Sequence, residues 1–132
     1  MRITADTNVL VRALTGDDAR QSARAREELK GAQMVALTLP ALCELVWVLS
    51  QGYKIPAAEI AEAIRRLMNT ATVVADRPAA EAGLSMLEVG GDFADGVIAY
   101  EGRRLGAEFF SSFDKQATKL MRQRGEQVRF LS

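Results

Sequence analysis

Short β-branched or apolar runs alternate along the whole chain with longer stretches of helical periodicity, and this alternation limits the fold more than any other feature. Arg2 to Ala5, Met34 to Leu37, Thr72 to Ala75, Phe109 with Phe110, and Val128 to Leu131 read as strands. Helical segments separate them. Val9, Leu10, Ala13 and Leu14 recur at helical spacing until Gly16-Asp17-Asp18 breaks the pattern, and Asp18 can cap a second helix that Gly31 ends. Thr38 and Pro40 start a helix through Leu49, closed by Gly52, and Pro56 starts an amphipathic one. Pro78 opens a helix that Gly90-Gly91 ends, Asp92 begins another reaching about Leu105, and Lys115 to Arg122 form the last. Strands joined through helices pair in parallel, because a parallel neighbour needs a crossover. The expected fold is an α/β protein, a three-layer α/β/α sandwich around a central, mostly parallel sheet of four to five strands. At 132 residues, without linker or repeat, it is expected to form one domain over residues 1–132.

Charge and cysteine content remove several function classes. Seventeen basic residues balance seventeen acidic ones, so no overall positive field marks nucleic acid as a partner. Locally the balance shifts. From Arg103 onward seven basic residues face three acidic ones, which reads as a solvated helix face or a phosphate-contacting rim. Cys43 is the only cysteine, so no intrachain disulfide can form. No apolar run nears the roughly 20 residues a bilayer requires, and the chain starts directly on a strand, so a cytoplasmic protein is expected. Without histidine there is no Ser-His-Asp triad, no histidine-based ribonuclease chemistry and no zinc site of the usual nitrogen or sulfur kind.

What remains is a set of acids. Asp6 follows the first strand, Asp92 and Asp95 open a helix as Asp-x-x-Asp, and Asp114 follows the fourth strand. Each can be explained locally as a helix cap or first-turn acid. Glu44 is harder to explain so. It is the only charge between Leu37 and Leu49, in a helix whose apolar character all round predicts burial, where a carboxylate needs a cation, a hydrogen-bond network or an arginine partner. In parallel sheets ligands bind beyond the strand carboxyl ends, where Asp6 and Asp114 fall. Carboxylates gathered there repel one another unless a divalent cation compensates them, and Mg²⁺ or Mn²⁺ suits an all-oxygen set.

The segments ADTNVLVRALTGDD, LTLPALCELVWVL, GGDFADGVIAYEGRRLGAE and FFSSFDKQATKL, in this order, resemble the PIN-domain family, in particular its VapC-type toxins. The resemblance implies a metal-dependent endoribonuclease, usually dimeric and usually restrained by a cognate antitoxin protein. By position it assigns Asp6, Glu44, Asp95 and Asp114 to catalysis and to Mg²⁺ or Mn²⁺, with Asn8, Asp92 and Ser112 in support. Ser112 stands where the family often has threonine. Arg12, Arg103 and Lys115 are candidates for the RNA backbone, or ordinary surface charges. Trp47, Val48, Tyr53, Ile60, Ile64 and Leu67 could form a groove for an antitoxin helix or simply complete the core.

Two other functions fit parts of the pattern. Asp6-Thr7-Asn8 loosely resembles the Asp-x-Asp of aspartyl-nucleophile phosphatases, but Asn8 removes the general acid. A non-catalytic RNA- or protein-binding module of the same fold would tolerate loss of the acids, yet all four are present.

Overall fold

The computed structural model describes residues 1–132, which divide into two compact units, Met1–Arg77 and Pro78–Ser132. In the first unit, β1 (Arg2–Thr4), β2 (Met34–Leu37) and β3 (Val73–Ala75) form a parallel sheet in that order, with Ile3 opposite Val35 and Val35 opposite Val73. Helices α1 (Thr7–Thr15) and α2 (Ala19–Gly31) join β1 to β2. Helix α3 (Leu39–Trp47), a π-helical turn (Val48–Gly52) and α4 (Ala57–Met68) join β2 to β3. Both links are crossovers, as parallel pairing demands.

The caps read from the sequence are in place. Asp6, Asp18 and Thr38 accept from the backbone N–H of Thr7, Gln21 and Ala41, and so fix where α1, α2 and α3 begin. Gly16 ends α1 with φ of 69°, in the left-handed region where a side chain is strained. Val35, Leu37, Leu10, Leu42, Leu45, Leu49, Ile60, Ile64 and Met68 are buried, each large side chain contributing on the order of 2 kcal/mol. Ile60 and Ile64 therefore belong to the core, whereas Trp47 is exposed.

Two sequence expectations change here. The helix expected from Thr38 to Leu49 leaves α geometry after Trp47 and widens into the π-helical turn, a feature that apolar spacing cannot reveal. Its burial is also one-sided. Ala41, Leu42, Leu45 and Val46 are buried, whereas Glu44 is exposed and Trp47 is 64% exposed. Glu44 is not a buried charge, because it shares with Trp47, three residues on, the helix face turned to solvent.

In the second unit, α5 (Arg77–Glu88, all but its first residue) and α6 (Phe93–Arg104) precede β4 (Phe110–Ser112), α7 (Lys115–Gln123) and β5 (Val128–Phe130). Strands β4 and β5 pair in parallel, Ser111 opposite Arg129, so all five expected strands exist and every pairing is parallel. Met86, Ala99, Leu120 and Met121 form the unit's core with Phe110 and Val128 against it. Helices α5 and α6 touch through glycine. A Cβ on Gly96 would stand 2.5 Å from the Ala82 carbonyl oxygen and 2.9 Å from the Gly83 Cα, and one on Gly83 would strike the Phe93 ring. That contact sets the position of the first turn of α6, which carries Asp92 and Asp95.

Candidate active site

In the first unit, Asp6 ends the loop that leaves β1, and Glu44 stands on the second turn of α3, which leaves β2. Because β1 and β2 are parallel, their carboxyl ends share one edge of the sheet. Thr7 links the two acids: its backbone N–H donates to Asp6 Oδ1 at 2.8 Å and its hydroxyl to Glu44 Oε1 at 3.2 Å. Each carboxylate keeps its second oxygen free, and neither has a cationic partner. Both line a cavity of about 480 Å³ together with Thr7, Asn8, Arg12 and Tyr53. Asp6 is thus a cap and a cavity acid at once, and Asn8 lines the same cavity.

Two lining residues of that cavity, Arg12 and Tyr53, belong to a network not read from the sequence. Arg12 donates from Nε to Gln21 Oε1 at 2.7 Å and from Nη1 to Asp17 Oδ1 at 3.0 Å. Asp17 also accepts from the Thr15 hydroxyl at 2.9 Å and from the Tyr53 hydroxyl at 2.6 Å. The hydrogen bond from Tyr53, reinforced by those from Thr15 and Arg12, lowers the Asp17 pKa to about 2. Tyr53 follows the π-helical turn directly, its N–H bonded to the Val48 carbonyl at 3.2 Å, and Lys54 next to it has φ of 56°. A non-glycine residue in that region costs roughly 1–3 kcal/mol and persists where the surroundings over-determine it. Asp17 and Tyr53 lie 36 residues apart, so no local motif could have coupled them.

In the second unit, Asp92 caps α6 by accepting from the Ala94 N–H at 2.7 Å, and Asp114 caps α7 by accepting from the Ala117 N–H at 3.0 Å. The Ser112 hydroxyl accepts from the Asp114 N–H at 2.9 Å, which holds the turn between β4 and α7. Asp95 differs from both. It is the first-turn acid of α6, and its carboxylate makes no hydrogen bond and no ion pair. Half-buried, it has a raised pKa, chiefly from burial and then from the nearby charges of Asp92 and Asp114.

The basic candidates separate. Arg12 is anchored at the cavity. Arg103 is ion-paired with Glu126 and lies 5.9 Å over the Tyr100 ring. Lys115, first residue of α7, is exposed.

The donors suit a hard divalent cation: all are carboxylate oxygens, and the unpaired, half-buried Asp95 is the kind of group that a cation would stabilise. Neither unit by itself brings three acids into a group able to hold a metal.

Parallel βαβ units with uncommitted carboxylates after their strands define an α/β protein whose polar chemistry is carried by acids alone. The PIN domain profile matches residues 3–122, running through both units, and the chain belongs to the PIN domain family. That family is generally a metal-dependent nuclease fold, so the activity supported is hydrolysis of nucleic acid. No curated protein matches the chain. No helix is long and apolar enough to cross a membrane.

Proposed function

We propose that the protein is an Mg²⁺- or Mn²⁺-dependent endoribonuclease of the cytoplasm, the toxin of a toxin-antitoxin pair, assembled as a homodimer and restrained by its cognate antitoxin. The observation that carries the nuclease reading is the state of the acids within a matched PIN domain. Asp95 has no partner at all, and Asp6, Glu44 and Asp114 each keep one carboxylate oxygen uncommitted. The order of the quoted segments supports the toxin assignment, the dimer and the antitoxin.

Asp6, Glu44, Asp95 and Asp114 are the residues that would hold the metal. When bound, the cation supplies Lewis acidity toward water and toward the phosphate oxygens. The protein's own residues supply position and charge. Thr7 fixes the Asp6 and Glu44 carboxylates relative to each other, and Ser112 fixes the turn that presents Asp114. Asp92 adds negative charge near Asp95 and acts as an accessory group, Asn8 supports Asp6, and Lys115 offers a charge to the RNA backbone. An attacking water leaves a 5′-phosphate on the product.

The experiment compares purified wild type with Asp6→Asn, Glu44→Gln, Asp95→Asn and Asp114→Asn on labelled RNA with Mn²⁺ or Mg²⁺ and with chelator. Cleavage that needs metal, yields 5′-phosphates and falls by roughly a hundredfold or more in each variant is expected. Undiminished cleavage in Asp95→Asn would falsify the carboxylate site. Co-expression with the adjacent small open reading frame, followed by purification of a stable inhibited complex, tests the toxin assignment.

A further inference from the structure

We propose that Arg12 is a built phosphate-holding residue of the first unit's cavity, and that Tyr53 and Asp17 are positioning residues that fix its guanidinium there. The proposal rests on the nuclease reading and adds the part of the substrate that this cavity receives, a backbone phosphate of the nucleic acid.

The geometry carries it. Two edges of the guanidinium are taken, Nε by Gln21 and Nη1 by Asp17, whereas Nη2 has no hydrogen-bond partner. Arg12 lines the same cavity as Asp6 and Glu44, so the lining combines two carboxylates with an anchored guanidinium. An anionic phosphate approaching the acids needs such an edge, and the planar fork of arginine matches phosphate oxygens where lysine offers only a point charge. Exposed ion pairs seldom repay the ordering of a long side chain in stability. Here Gln21 and Asp17 hold the arginine directly, and Thr15 and the distant Tyr53 in turn hold Asp17. The tyrosine is itself delivered by two unusual backbone features, the π-helical turn and the left-handed Lys54, and π turns are frequent at functional sites. Asp17 stays ionised in this network, so the strut does not switch off near neutral pH.

The test uses the full chain with Arg12→Lys, Arg12→Ala and Tyr53→Phe, each first checked for folding by thermal denaturation. Cleavage kinetics on a short single-stranded RNA should show KM raised about tenfold or more in Arg12→Ala and in Arg12→Lys, with kcat within about twofold of wild type. Tyr53→Phe keeps the ring and loses only the strut, and should raise KM by about threefold or more in the same pattern. In parallel, anisotropy of a fluorescent single-stranded RNA without divalent metal gives the salt dependence of binding. There Arg12→Ala should lower the slope of log K against log salt by about one phosphate contact. Wild-type KM and an unchanged slope in Arg12→Ala overturn the proposal while leaving the nuclease reading intact. Wild type that binds RNA with the expected slope change yet never cleaves supports the phosphate residue and speaks against the nuclease. Absence of RNA binding by wild type overturns the proposal too.

Discussion

Replacing Gly96 by alanine should force α5 and α6 apart. The new methyl carbon would stand 2.5 Å from the Ala82 carbonyl oxygen and 2.9 Å from both the Gly83 Cα and the Met86 Cβ, and two of these three neighbours are backbone atoms with no rotamer to change. Restoring an ordinary contact requires the helices to separate by about 0.8 Å, in the range where overpacking costs roughly 1–3 kcal/mol. Alanine returns about 1 kcal/mol through its higher helix propensity. The net loss is up to about 2 kcal/mol, and at roughly 2.1 cal/mol/K per residue the melting temperature should fall by up to about 7 °C. Gly31→Ala is the matched control. It lies at the end of α2 with nothing within 4 Å of its Cβ, so it should be neutral or stabilising. The assay is thermal unfolding by circular dichroism of wild type and both variants, with nuclease activity measured on the folded protein. Because α6 carries Asp92 and Asp95, cleavage should drop further than the folded fraction accounts for. A Gly96→Ala protein that melts at or above wild type, or no lower than Gly31→Ala, refutes the close-contact argument.

Asparagine caps helices about as well as aspartate, so Asp6→Asn and Asp114→Asn should melt within about 0.5 kcal/mol of wild type while losing cleavage; equal loss of both would show that the acids serve only the fold. The raised pKa of Asp95 means that the folded state holds its proton more tightly than the unfolded chain. The associated stability is present below the unfolded pKa and is lost as pH rises through the window between the two values. At neutral pH Asp95→Asn should therefore be more stable than wild type, a gain that should shrink toward acid pH when followed by denaturant unfolding. Asp17 behaves oppositely. Its contribution is present above the ordinary carboxylate range and lost as pH falls from about 4 toward about 2, so Asp17→Asn should flatten that part of the acid unfolding profile.

Local chemistry was legible in the sequence, and long-range chemistry was not. Asp6, Asp18, Thr38, Asp92 and Asp114 were readable as helix starts because a cap bonds within three residues of itself. The strands were readable because β-branched runs between glycine and proline breaks have few alternatives. Glu44 was correctly singled out by its isolation among apolar residues, but burial was inferred from composition around the helix, and Trp47 shows that an apolar residue there can face solvent. The ion pair that holds Arg103 reaches 23 residues along the chain to Glu126. The strut from Tyr53 to Asp17 depends on a helical turn that periodicity treats as ordinary α-helix. Asp95 could be singled out only as an acid; that its carboxylate is left without a partner is a property of three dimensions.

The π-helical turn at Val48–Gly52 has the form that a helix takes when one extra residue is accommodated without breaking it. A single-codon deletion inside this turn would let the segment relax to regular α-helix, a change that local folding tolerates. It would also rotate every following residue by about 100° around the helix axis, carrying the Tyr53 hydroxyl away from Asp17. Length variation at this one turn thus offers a lineage a way to loosen the grip on Arg12 without altering any charged residue.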